Sequence, residues 1–265
     1  MVYEGVFLNQ AVTVKRLVPE LAKDEYSRDV FMYEAKVAAQ LDHPKIVRFV
    51  GVYWTTVSDI GSVFERMSGG ELNEYLAAHY SELVWTRPAR PSMEERPASA
   101  SDVELPTKLQ LAIDVAEALV LLHSFHPPIA HGNLSSKSVW LDGSGTAKLW
   151  NFRPVGVEAL AHSMMDTSRS GTVTGTRTMD NGDICAFGQL LVELDWCEPA
   201  QSHLRPVETP ADALVMSELI EPEFTSSCPP VVTQLARRCL VFSPYDRPTA
   251  IEIFYELRKL ADSER

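Results

Sequence analysis

Cysteine is scarce in this chain. Its 265 residues hold four, Cys185, Cys197, Cys228 and Cys239, at no paired spacing. That excludes a disulfide scaffold and predicts reduced thiols in an intracellular, cytoplasmic protein. Positive charge is also short, with 24 Lys and Arg against 36 Asp and Glu and a net charge of −12. So acidic a chain is a poor match for nucleic acid or an anionic lipid surface, both of which need Lys and Arg. A long uncharged apolar run is missing as well. The most apolar stretch, around 109–122, contains Asp114 and Glu117, which excludes membrane insertion there. The first residues carry Glu4 and no basic stretch, so they do not read as a signal peptide. No Cys/His spacing suggests a metal site, no Ser-His-Asp arrangement is recognisable, and no repeat is visible.

What is present is enough apolar content, 45%, to bury a core. Residues 2–17 alternate as two short strands around Gly5 and Asn9. Residues 24–41 carry a helical pattern on Phe31, Ala35, Ala38 and Leu41, which His43-Pro44 ends. Strands are expected over 46–54 and 61–67, and a short helix over 70–80. Residues 85–106 change to a proline-rich stretch without period, predicting a flexible surface insertion. A helix follows, with Thr107 and Gln110 as a capping box and Leu109, Ile113, Ala116, Leu119 and Val120 on one face. Short strands bracket Asp142-Gly143, a hairpin-turn dipeptide. A polar loop at 153–182, a helix at 183–195 and a capped helix from Thr249, with Glu252, complete the chain. Strands first and helices later give an α+β class.

Several motifs occur in order. They are Val12-Thr13-Val14-Lys15, Glu34 nine residues before His43, and Val63-Phe64-Glu65-Arg66-Met67. Then come His131-Gly132-Asn133-Leu134, Asn151-Phe152-Arg153, Asp183 to Gly188, and Asp246-Arg247-Pro248-Thr249. Together they resemble the protein kinase domain of the tyrosine-kinase-like Ser/Thr group over nearly the whole chain. The resemblance implies a bilobal fold, with a small strand-rich N-lobe at 1–66 and a helical C-lobe at 67–265. The N-lobe is expected to be incomplete, because the family's Gly-rich loop falls before Val2-Tyr3. The A-P-E motif is missing between Thr176 and Asp183.

The same resemblance places Lys15 and Glu34 as an ion pair, with two readings open: a holder of the nucleotide phosphates, or a structural tether of the lobe. It places Glu65 and Met67 at the nucleotide hinge, and Thr13, Phe64 and Trp140 around the adenine slot, where their bulk is expected to occlude it. The positions that carry chemistry differ from the family pattern of H-R-D-L-K-x-x-N and D-F-G. Asn133 stands for the base aspartate, Ser135 for the lysine, Ser138 for the metal-binding asparagine and Asn151 for the metal-binding aspartate. A neutral amide and a hydroxyl are poor ligands for Mg²⁺, and an amide cannot accept the substrate proton as a carboxylate does. Gly132 replaces the arginine that would meet a loop phosphate, though Thr167, Ser168, Ser170, Thr172 and Thr174 remain modifiable. Asp183 is expected to anchor the catalytic-loop backbone. Ala38, Phe49, His131 and Phe152 are expected to form a hydrophobic stack between the lobes.

The resulting expectation is a pseudokinase that acts as an interaction or regulatory module. Its partners would be other proteins, signalling components or an active kinase. No metal is expected, and at most weak ATP binding without Mg. Two alternatives stand beside it: an active ATP-dependent Ser/Thr kinase with atypical residues, and a decayed or truncated kinase fragment.

Overall fold

The structure is a computed structural model and describes residues 1–56, 59–86, 105–153, 180–206 and 220–263. The first hairpin joins β1 (Val2–Phe7) and β2 (Gln10–Arg16). Leu8 and Asn9 form its two-residue turn, both left-handed at φ 48° and 63°. That is the turn whose twist matches paired strands. Gly5 lies inside β1 rather than at a turn, opposite Val12. With β3 (Phe49–Trp54) and β4 (Ile60–Glu65) the strands form an antiparallel sheet in the order β1-β2-β4-β3. Alternation along β2 puts Thr13 and Lys15 on one face and Val12 and Val14 on the other.

Helix α1 (Glu25–Ala38) lies between β2 and β3 in the chain. Asp24 caps it, accepting the Ser27 N–H at 2.8 Å. The helix stops short of the expected Leu41. Its end tightens, with Gln40 and Leu41 bonding to carbonyls three residues back.

Below the sheet, β5 (Gly70–Glu71), β6 (Val139–Leu141) and β7 (Ala147–Leu149) form a small second sheet. The expected helix at 70–80 is therefore divided into β5 and α2 (Leu72–Ala78). The β6–β7 turn is longer than an Asp-Gly dipeptide. The Asp142 carboxylate accepts the Ser144 and Thr146 N–H groups, and the left-handed residue is Gly145, at φ 80°.

Four helices build the rest: α3 (Lys108–Ser124), α4 (Asp180–Trp196), α5 (Pro230–Cys239) and α6 (Ala250–Ser263). A two-stranded pair, β8 (Leu204–Pro206) with β9 (Ile220–Pro222), lies between α4 and α5 in sequence. Leu109, Ile113, Ala116 and Leu119 of α3 are buried as their spacing predicts, and the helix packs on α4 and α6. Asp114, in the middle of that apolar helix, is buried but fully engaged. It pairs with Lys45 at 2.7 Å and accepts the Ala147 N–H at 3.0 Å.

Most of the proline-rich stretch lies outside the described residues, as does nearly all of the 153–182 loop with its Ser and Thr candidates. The expected boundary at 85 needs correction. Trp85 is 3% exposed and donates its indole N–H to Asp195 at 2.7 Å. Asp195 also accepts Thr225 N–H, while Lys108 reaches the Asp195 carbonyl at 2.7 Å. The residues on both sides of the stretch are thus fastened to the end of α4. Among the described residues no helix is long and apolar enough to cross a membrane.

Candidate functional site

The site lies where β2, α1 and the segment after β7 meet. Strand alternation turns Lys15 toward α1, where Glu34 is 4% exposed. The two pair at 2.5 Å between Lys15 Nζ and Glu34 Oε2. Lys15 also donates to Asn151 Oδ1 at 2.7 Å, and its ammonium lies 5.2 Å from the Trp150 ring centre. An ammonium has three protons. Two of them meet a carboxylate and an amide oxygen, and the charge faces the indole ring. Burial pushes the Glu34 carboxyl above the usual glutamate range, against the opposing pull of Lys15 and Arg153. Its second oxygen, Oε1, is buried without a hydrogen-bond partner among the described residues.

Asn151 is left-handed at φ 67°. Asn is among the few side chains that tolerate this conformation. The turn places its amide against Lys15 and brings its carbonyl to Asn133, whose amide donates to it at 3.4 Å. In this geometry Asn133 acts as a donor. Ser135 and Ser138 close on each other at a short 3-10 turn: Ser138 Oγ accepts the Ser135 N–H and donates to the Ser135 carbonyl, both at 3.0 Å. Ser138 is fully buried, so its hydroxyl is consumed by that turn.

His131 and Phe152 stack at 4.9 Å. The His131 Nε2–H donates to the Trp150 carbonyl at 2.9 Å, and Nδ1 accepts the Asn133 N–H at 3.2 Å. Complete burial holds the ring below the ordinary histidine pKa, so it is neutral and structural. Asp183 anchors this loop from α4, accepting the His131 and Gly132 N–H groups at 2.7 and 2.9 Å. Gly132 sits at φ 72°, a conformation its missing side chain permits at no steric cost. Arg247 donates to the Val241 and Phe242 carbonyls at 3.0 and 3.3 Å.

Between the lobes lies a second, smaller core. Ala38, Val47, Phe64, Met67 and Trp150 are its buried members, with Phe49 and Trp140 packed against them. Trp140 and Trp150 meet edge to face at 4.6 Å, Phe64 and Trp150 at 5.6 Å, and Phe49 and Phe64 at 5.5 Å. Among the described residues neither buried indole N–H group has a hydrogen-bond partner. Ala38 and Phe49 thus belong to this cluster, whereas His131 and Phe152 touch each other beside it. Thr13 is buried in β2, opposite Phe64. Glu65 is held by the Arg48 N–H at 2.8 Å and Lys148 at 2.9 Å.

The structure thus unites Lys15, Glu34, Asn151 and Asn133 in one cluster, and Phe64, Met67 and Trp140 in the other. Sequence reasoning missed Trp150, which joins the two. The available signal was its place directly before Asn151 at the end of a short strand, where an indole is large for a position between two lobes.

Comparison with known proteins gives the kinship. The chain is 26% identical to wall-associated receptor kinase-like 10 of Arabidopsis thaliana over 98% of its own length and 34% of the relative's. It is 27% identical to serine/threonine-protein kinase TNNI3K of Mus musculus, over 97% of the chain and 29% of that protein. Wall-associated receptor kinase-like 14 of Arabidopsis thaliana is 28% identical, over 98% and 37%. The chain therefore spans about a third of the length of these relatives. The family model for protein tyrosine and serine/threonine kinases matches residues 1–257, and with the two-lobed α+β architecture around Lys15 and Glu34 this chain belongs to that family.

Proposed function

We propose that this chain is a pseudokinase: a kinase-fold module that binds other proteins, signalling components or an active kinase, and transfers little or no phosphate. The observation that carries the reading is the Lys15 ammonium, held by both Glu34 and Asn151 with the Trp150 ring facing its charge.

The residues do not fit Mg²⁺. The one side-chain oxygen of Asn151 is neutral and already accepts from Lys15, and Ser138 Oγ is buried in its own turn. Mg²⁺ is bound by hard oxygen ligands, usually including a carboxylate. The reading is further supported by Phe64 and Trp140, which the family resemblance places at the adenine slot and which both pack against Trp150. Forcing atoms into a filled core typically costs ~1–3 kcal/mol. Asn133 offers a neutral amide where a base must take up a proton, and a positioned base is worth ~10²–10⁴ in rate.

One observation favours the competing reading of an active kinase with atypical residues: the Lys15–Glu34 pair is intact at 2.5 Å. The relative TNNI3K is named a serine/threonine-protein kinase. Incubation of the purified protein with γ-labelled ATP and Mg²⁺ separates the two. We expect no transfer above the background of Lys15→Ala. Steady incorporation that Lys15→Ala abolishes overturns the proposal. Asn133→Asp alone is expected to restore nothing, since the metal still has no carboxylate.

A further inference from the structure

Strand β1 ends the upper sheet on one side, and its ladder fixes which backbone groups face outward. Met1 and Arg16 bond to each other in both directions at 2.9 Å. Antiparallel pairing alternates, so Tyr3, Gly5 and Phe7 bond toward β2, while Val2, Glu4 and Val6 turn their N–H and C=O groups away from it. Among the described residues no strand pairs with that edge. Val6 and Leu8 are 77% and 82% exposed along it. An open apolar edge of this kind is a template for a further strand.

Two features beside the edge define what that strand carries. On the outer face of the sheet a groove of about 270 Å³ starts at Gly5 and runs over Val12, Val14 and Val63, and none of its lining residues is charged. A residue opposite Gly5 on an added strand forms a non-hydrogen-bonded pair, the kind that brings side chains closest. With no side chain on Gly5, a large apolar group there reaches across it into the groove. On the other face stands Glu4, its side chain 74% exposed, with both Arg66 bonds on the one oxygen Oε1. In a chain of net charge −12, a basic residue opposite Glu4 completes the match. A second copy of this chain fits worse. Two β1 strands centred on Glu4 set carboxylate against carboxylate, and centred on Gly5 they leave both grooves empty. A dimer held by six residues a side also falls far below the ~20–30 a side of a stable interface.

We propose that β1 receives an extended segment of a partner protein, pairing antiparallel with it, in which a large apolar residue lies across Gly5 in the outer groove and the neighbouring basic residue pairs with Glu4. Main-chain bonds at Val2, Glu4 and Val6 hold the strand, and the two side chains select it. Neither Lys15 nor Glu34 lines the groove, so the site does not depend on whether the chain transfers phosphate.

The probe is a short capped peptide of threonine and valine with a central phenylalanine-lysine pair, titrated into the 265-residue protein and read by amide NMR. Saturable shifts are expected at Val2, Glu4 and Val6, with their amides protected from exchange only when the peptide is bound. N-methylation of the peptide nitrogens that face β1 is expected to weaken binding at least about tenfold. Gly5→Val is expected to do the same, since its Cβ, 3.2 Å from Val14 Cγ2, narrows the groove mouth. Glu4→Lys, at an exposed position, is expected to reverse the preference, so that a glutamate in place of the peptide's lysine binds better. That reversal keeps the test decisive should Gly5→Val disturb the strand. Absence of saturable shifts at millimolar peptide overturns the proposal, as does equal affinity of the N-methylated peptide or an unchanged preference in Glu4→Lys. Protection of the same amides without peptide overturns it too, in favour of a second copy where protection rises with protein concentration.

Discussion

Glu34 carries the sharpest electrostatic demand in the molecule. One oxygen holds the Lys15 ammonium, and the other is buried and unmet among the described residues. Removing one partner of a buried ion pair leaves an uncompensated charge, which costs about 3–5 kcal/mol. Lys15→Ala is therefore expected to lower stability by about 3 kcal/mol in urea denaturation, and adding Glu34→Gln to recover part of that loss. Glu34 also sets a pH dependence. Burial raises its folded pKa, so the folded state holds that proton more tightly than the unfolded chain. Its contribution is complete below the ordinary glutamate range and is lost as pH rises through the raised value. His131 runs the other way, since burial lowers its pKa. Its contribution is present above the ordinary histidine value and is lost as pH falls toward the lowered one. Denaturation profiles of Glu34→Gln should lose the first slope and keep the second. The Lys15–Glu34 pairing was legible from the family resemblance. The capture of Lys15 by Asn151 and Trp150 was not, because it depends on a left-handed backbone at Asn151 that brings residues 136 positions apart together.

The helices follow their end signals closely. Thr107 accepts the Gln110 N–H at 3.1 Å, and Thr249 and Glu252 exchange hydrogen bonds at 2.7 and 3.4 Å. A cap of this kind is worth ~1 kcal/mol, so Thr107→Ala should lower the denaturation midpoint by that equivalent. Strand β1 is the weak element. Among the described residues it pairs only with β2, and Val6 is 77% exposed. Amide exchange is expected to open residues 2–17 well before α4, whose Phe187, Leu190, Leu191 and Leu194 are fully buried. Equal protection would mean that the open edge is covered. The apolar face of α3 and a break at Asn9 were readable because each is a local pattern, whereas Gly5 misled because it sits inside β1. The short strands β5, β8 and β9 were not. Strands of two or three residues carry no period, and their partners lie far along the chain.

At the scale of the whole chain, two cores of different size do two different jobs. The larger one surrounds α3 and α4 and makes the lower lobe. The smaller one, built on Phe64, Met67 and Trp150 with Trp140 beside them, joins the lobes. In the proposed function this aromatic cluster replaces a nucleotide as the filling between the lobes, so the module stays folded and closed without a ligand there. Trp150 is 5% exposed and Trp140 only partly buried, so they differ in cost. Trp150→Ala should destabilise by about 3–5 kcal/mol, as large-to-small changes in a core do. Trp140→Leu should cost less and open space between the lobes.

The thermal stability of the unmodified protein across an ATP titration, with and without Mg²⁺, tests the central claim most directly. A ligand at ~100 times its dissociation constant stabilises by ~2.7 kcal/mol. The account predicts no shift at millimolar ATP under either condition, and a shift that emerges in Trp140→Leu. A clear, saturable shift in the unmodified protein would contradict it.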